Sequence, residues 1–417
     1  MSEIMYELSD GVRLRNCCNP AFKTMRLSVN MIVPISRENA ARYAILPSLV
    51  SRAVRQYPSY MQLSRRLAEL YGASLGSSVQ RLGEYQVLGV SAGGISSRYA
   101  FGKEDMLAEL TQLLFSVIFD TLRDSEGLFP LDGFTQEKRQ QLEQKDADLS
   151  DKAVYAHQRC HELVFEGCPA GIDRLGYRED IEALSREELN PAWQRLLSQA
   201  RFEIFALGDC KVNPQVFSER FAGLGKAREL DRVGFFAPKM RRLTQTQPIA
   251  QSKLSMAFRA DVPGRDRLAF NLMSAVLGEP TSSKLFVNVR ERQGLCYYCD
   301  SSFSWSSGTL YIESAVETED LARAEEAILD QIRALCRGDV TREELEAAKL
   351  YLCSALYSVG DSLDRMEGWH MGRAFDGMGY TPEEAARAVM SYTLTDVVEA
   401  ANRLEPAAVF VLKGGES

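Results

Sequence analysis

The sequence predicts an α+β fold built from two homologous halves, each an antiparallel sheet with helices packed on one face, facing each other across a cleft. Three observations carry this expectation. A long-period internal repeat runs through the chain, helical and strand periodicities follow the same order in both copies, and a stretch mixing Pro, Gly and charge separates them. The halves are expected at 1–220 and 245–417, with an interdomain linker at 221–244. The clearest part of the repeat pairs "LSRRLAELYGASLGSSVQRLGEYQVLGVSAG" (63–93) with "LFVNVRERQGLCYYCDSSFSWSSGTLYIESAV" (285–316). Both read as helix, glycine, alternating strand, Gly-containing turn and second strand, so Gly72 answers to Gly294.

The later elements keep the same order. "MLAELTQLLFSVIFD" and "LARAEEAILDQIRAL" are amphipathic helices. "FTQEKRQQLEQ" and "VTREELEAAKL" come next, with Thr135 and Thr341 expected as N-caps. These helical segments run to "HELVFEG" and "GRAFDG". Each half then closes with a helix, "LSREELNPAWQRLL" or "LTDVVEAANRL", and a strand, "RFEIFALGD" or "AAVFVLKGG".

Composition narrows the function classes. With 417 residues, 45% apolar and 25% charged, the chain is long enough for several cores. A net charge of −8 argues against a nucleic-acid partner, because phosphate binding needs a basic surface. No apolar run reaches the length of a membrane span, so no membrane association is expected, and the N-terminus lacks a signal-peptide pattern. Nine scattered cysteines then point to reduced thiols and a cytoplasmic location. In "CYYC", Cys296 and Cys299 lie three apart in an expected strand, where positions i and i+3 face opposite ways. On that geometry the two thiols cannot act together.

The duplicated halves and the phrase "SSKLFVNVRERQGLCYY" (282–298) resemble the insulinase/pitrilysin family of zinc peptidases, which includes the mitochondrial processing peptidase. The resemblance covers nearly the whole chain, and Lys284 stands where the family usually has arginine. Family members that cleave peptides carry an inverted zinc motif, H-x-x-E-H. Counting back from the shared "LYGAS" places that motif on "LPSLV", so its key positions are Leu46, Leu49 and Val50. None of the three can ligate zinc or accept a proton. The resemblance puts an acidic residue at Glu137 and the family's third ligand at Gln144. No metal and no other cofactor are expected.

In active relatives an arginine and a tyrosine of the C-terminal half hold the substrate carbonyl, and Arg290 and Tyr297 match those positions. The plainer reading pairs Arg290 with acidic neighbours and turns Tyr297 toward the core. The resemblance implies a non-catalytic subunit of an inactive bacterial subgroup associated with elongation factor P modification. Such a subunit binds a peptide or unfolded polypeptide and pairs with a zinc-bearing paralogue as a heterodimer, or with itself. The alternative is a stand-alone peptide-binding scaffold that uses strand addition.

The chain has three histidines. His157 and His161, spaced i and i+4, share a helix face, which is compatible with a metal pair or with a helix C-terminus that favours positive charge. His370 is expected to pack beside Trp369.

Overall fold

The computed structural model describes residues 2–262, 267–377 and 379–415. It divides into two compact units. The first comprises Met1–Asp146, Ile172–Leu230 and Leu363–Met371, and the second Ala147–Gly171, Asp231–Ser362 and Gly372–Ser417. The units therefore do not follow the chain in sequence, because each includes one segment from the other half of the repeat.

The first unit holds a six-stranded sheet of β1 (Ser2–Ser9), β2 (Val12–Cys18), β3 (Thr24–Pro34), β4 (Ser74–Leu82), β5 (Tyr85–Ile95) and β6 (Arg201–Gly208). Their order is β1-β2-β6-β3-β5-β4. The second holds β7 (Arg241–Gln247), β8 (Ser252–Ala260), β9 (Cys296–Ser304), β10 (Thr309–Val316) and β11 (Leu404–Gly414), ordered β7-β11-β8-β10-β9. The repeat is visible strand by strand: β2-β6-β3-β5-β4 matches β7-β11-β8-β10-β9, and β1 is an addition to the first. The sheets are antiparallel except for one pair in each, β2 with β6 and β11 with β7. Each of these pairs joins a half's leading strand to its closing strand.

One face of each sheet carries the main core. In the first unit Leu27, Val29 and Met31 of β3 and Ile204 and Ala206 of β6 pack with Leu110 and Leu114 of helix Met106–Phe119 and Trp193 of helix Arg186–Gln199. In the second, Leu254 and Met256 of β8, Leu310 and Ile312 of β10 and Val409 and Val411 of β11 pack with helices Arg267–Gly278 and Leu321–Cys336. Alternation along each strand sends the intervening residues to the opposite face. Gly72 and Gly294 have φ of +74° and +62°, so both copies enter β4 or β9 through a left-handed turn that glycine adopts without strain.

The opposite faces carry polar groups and are not bare. In the first unit Ser28 Oγ donates to Glu367 Oε1 at 2.7 Å, Asn30 Nδ2 donates to the same oxygen at 2.9 Å, and Arg26 Nε lies 3.0 Å from Oε2. Glu367 comes from helix Leu363–Asp376, more than 330 residues along the chain. His370 lies further along the same helix, with Nε2 3.2 Å from the Cys17 thiol and its ring beside Phe205. In the second unit helix Lys152–Val164 sits on β8, β10 and β11, packing Ala156 and Cys160 against Ala257, Ala408 and Phe410. Helices therefore pack on both faces of each sheet, where one face was expected. The cause is a row of inward polar side chains that would otherwise be stranded.

Helix Leu131–Ser150 begins four residues before Thr135, so Thr135 is an exposed interior residue and not an N-cap. Thr341 does cap its helix, in a reciprocal box with Glu344. Among the described residues no helix is long and apolar enough to cross a membrane.

Removing Glu367 takes the carboxylate acceptor from buried Ser28 and Asn30 and one of two carboxylates from half-buried Arg26. Glu367→Ala is expected to cost about 3–5 kcal/mol in urea denaturation. Asp364→Ala, on the same helix with its side chain 78% exposed, is expected to cost under about 1 kcal/mol.

Candidate functional site

The "LPSLV" segment is helical but belongs to the core. Helix Arg37–Ala44 stops at Ile45 and a short helix, Leu46–Ser51, begins. Pro47 lies in the first turn of this second helix, where its missing N–H has no helical acceptor to lose. Leu46, Leu49 and Val50 are buried in the first unit's core.

Gln144 lies elsewhere, on helix Leu131–Ser150, whose Glu137, Gln140, Gln141 and Gln144 line one open pocket. Of this segment Ser48 reaches the pocket, together with Ala44 and Ile45 just before it. Ser48 Oγ is 3.0 Å from Ser77 Oγ of β4. Counting along the sequence thus finds the buried face of this segment. The one polar residue among its apolar neighbours, Ser48, is the available signal for the pocket face.

The pocket's donor set does not fit zinc. It presents carboxamides, hydroxyls and one carboxylate, without the imidazole or thiolate ligands that hold this ion. The carboxylate, Glu137, is committed: Arg52 Nη1 donates to its Oε1 at 3.1 Å. Burial raises the Glu137 carboxyl above its ordinary value, and Arg52 works against that rise. Gln141 Nε2 donates to the Ala41 and Leu175 carbonyls at 3.2 and 2.8 Å, fixing the helix against both walls. What remains is a polar pocket of amides, hydroxyls, the Glu137 carboxylate and the Arg174 guanidinium, suited to hydrogen bonding.

Arg290 and Tyr297 belong to the second unit. Residues Leu285–Glu291 form a widened π-type turn. Arg292 N donates to Val287 O five residues back at 3.0 Å, and Leu295 N to Val289 O six residues back at 3.2 Å. Such a turn advances each residue by less than an α-helix does and so re-aims its side chains. The Arg290 guanidinium stacks over the Phe286 ring at 4.6 Å, with Nε 3.6 Å from Glu291 Oε1. Lys284, the departure from the family phrase, is buried and bonds both carboxylate oxygens of Glu344 at 3.0 and 3.1 Å. It is a structural cation.

Tyr297 does not face the core: it is 72% exposed. The ladder explains why. Tyr298 pairs with Ala315 and Cys296 with Val316, so Tyr297 is an extra residue, a β-bulge in the edge strand β9. The same bulge corrects the expectation for the two cysteines. One extra residue shifts the alternation, so Cys296 and Cys299 both join the core side.

The histidine pair is occupied. His157 Nδ1 is 2.9 Å from Glu313 Oε1, and His161 Nε2 donates to the Ala170 carbonyl at 2.8 Å. His161 Nδ1 therefore accepts from the Tyr311 hydroxyl at 2.5 Å when the ring is neutral. Both rings serve the docking of their helix on the sheet, and ligating a metal would cost them those bonds. Among the described residues no group of three or more His, Cys, Asp or Glu could hold a metal ion. His370 packs on Phe205 and bonds Cys17, where Trp369 was the expected neighbour.

Residues 183–352 match the family model described as the peptidase M16 inactive domain. Over 406 residues the chain is 23% identical to a Bacillus subtilis protein called a probable inactive metalloprotease, YmfF, covering 95% of this chain and 94% of that one. Another Bacillus subtilis protein, the uncharacterized zinc protease YmxG, is 28% identical over 48% of each chain. Among solved structures, a conserved protein from Enterococcus faecalis V583 superposes with a TM-score of 0.88 at 26% identity, covering 100% of this chain and 99% of that one. A peptidase M16 inactive domain from Pseudomonas fluorescens gives 0.80 at 17% identity, over 100% and 99%, a likeness of fold. Residues 183–352 are thus similar to the peptidase M16 inactive domain, and nearly the whole chain is similar to a protein called a probable inactive metalloprotease.

The Arg52–Glu137 pair gives a test of the pocket's electrostatics. Arg52→Met leaves a buried carboxylate uncompensated and is expected to cost about 3–5 kcal/mol. Adding Glu137→Gln should recover most of that loss, read as a double-mutant cycle in urea denaturation.

Proposed function

We propose that this chain is a non-catalytic, peptidase-like subunit that pairs with a zinc-bearing paralogue in the cytoplasm. In that role Arg290 and Tyr297 contact the carbonyl of a bound peptide or unfolded polypeptide. The observation that carries the reading is Tyr297 itself: a large aromatic held in solvent by a bulge, just beyond the glycine turn that separates it from Arg290. A tyrosine kept only for packing would turn its ring inward. A guanidinium and a phenol are donors of the kind that stabilise a carbonyl oxygen as it gains charge. Because this chain's own pocket lacks zinc ligands, the reaction they assist belongs to another chain.

A stand-alone peptide-binding scaffold is the second reading. It is favoured by the position of β9 at the edge of its sheet, where an extended peptide can add as a further strand. Both readings bring the peptide to Tyr297. In the first the bound peptide is cleaved by the paralogue, and in the second it is only held.

Purified alone, the chain is expected to hydrolyse no peptide. In a mixed complex with the co-purifying zinc-bearing paralogue, Arg290→Ala should lower kcat by roughly 100-fold and Tyr297→Phe by roughly 10-fold. Unchanged mixed activity in both variants, with peptide binding retained by the isolated chain, would favour the scaffold. Chelator-sensitive hydrolysis by the isolated chain would refute both.

A further inference from the structure

The first unit has a second polar pocket, with no role in the function proposed above. Helices Arg37–Ala44 and Arg186–Gln199 pack side by side, and the groove between them encloses about 360 Å³, the size of a small-ligand cleft. Glu38, Arg42 and Tyr43 line it from the first helix, and Glu188, Pro191 and Arg195 from the second. Helical spacing sets this up: 38 and 42 are one turn apart, and 188, 191 and 195 share one face over two turns.

The charges in the groove are not evenly matched. Arg42 has two carboxylate neighbours, with Nη2 3.4 Å from Glu188 Oε2 and Nη1 3.9 Å from Glu38 Oε1. Those ion pairs tie up both acids on one cation. Arg195 has no ion-pair or hydrogen-bond partner among the described residues, and neither has the Tyr43 hydroxyl. Tyr43 is not a surface residue whose hydroxyl merely trails in water. It is 4% exposed, so its ring is fixed in the core and its hydroxyl is left with the groove. Burial raises that hydroxyl above its ordinary value, against the Arg195 and Arg42 charges, so it is a donor at neutral pH. The groove therefore offers two donors, one of them charged, that lack an acceptor.

We propose that this groove binds a ligand by a single carboxylate, which the Arg195 guanidinium and the Tyr43 hydroxyl receive. A guanidinium is a planar fork that matches the two oxygens of a carboxylate. One negative charge balances the one uncompensated cation. A phosphate dianion would bring its second charge against Glu38 and Glu188, which disfavours it. Pro191 stands in the interior of its helix and adds an apolar patch to the wall for the ligand's body. The carboxylate belongs to a peptide C-terminus or to a free organic acid, and the probes below separate the two. The site lies in the first unit, whereas Arg290 and Tyr297 belong to the second, so it does not depend on the function proposed above.

The test is calorimetric titration of the full chain at pH 7 with trialanine, trialanine C-terminal amide and acetate. Trialanine is expected to bind at least about tenfold more tightly than its amide. Arg195→Gln, at an exposed position, should abolish that difference, and Tyr43→Phe, which keeps the buried ring, should reduce it about fivefold. Arg65→Gln, removing a cation outside the groove whose side chain is 83% exposed, should leave it unchanged. Trialanine binding more tightly than acetate assigns the site to peptide ends, and equal binding assigns it to free acids. Absence of saturable binding by both acids would overturn the proposal. So would an amide that binds as tightly as the acid, or a preference for the acid that survives Arg195→Gln.

Discussion

The structure depends on a polar seam along the second face of each sheet. β3 sends Arg26, Ser28 and Asn30 to that face, and a single glutamate, Glu367, meets all three. β8 and β10 send Ser255 and Glu313 to the corresponding face, where Ser255 Oγ donates to Glu313 at 2.8 Å and His157 meets the same carboxylate. Buried polar groups left unpaired are costly, so each sheet requires a particular helix and not merely an apolar cover. In both units that helix comes from the other half of the sequence. The exchange binds the fate of each sheet to residues of the distant half. It also assigns the histidines: His157, His161 and His370 all belong to these docking helices.

The seam leaves the other helices of the first unit to pack on the apolar face. A zinc centre is a cluster of polar ligands whose helix must be held open to a water molecule. Here Leu46, Leu49 and Val50, the positions where the resemblance would put the motif, are buried in the core, and helix Leu131–Ser150 lines a glutamine-rich pocket with Glu137 and Gln144. The Arg290 turn is widened, Tyr297 is pushed outward by a bulge, and Lys284 is locked on Glu344 at the start of the same turn.

Much of this was legible in the sequence because periodicity and glycine placement are local signals. The repeat survives as matching strand orders, and the correspondence of Gly72 with Gly294 survives as two left-handed turns. What was hidden depends on long-range partners or on a single inserted residue. Nothing local in "CYYC" announces that Tyr297 is supernumerary, so strict alternation puts the two thiols apart. The helix starts before Thr135, with Phe134 N donating to Pro130 O at 3.0 Å, so capping propensity at Thr135 does not prevail. The segment exchange is invisible for the same reason, since Glu367 reads as an ordinary surface acid until Ser28 and Asn30 are placed opposite it.

The central claim is that this chain holds no zinc at the positions where its resemblance would put a zinc motif. Metal analysis of the full chain, prepared with zinc present and passed through a desalting column, tests it most directly. The account predicts zinc far below one equivalent per chain, unaffected by Glu137→Ala or Gln144→Ala. One equivalent of bound zinc, lost in either variant, would contradict it.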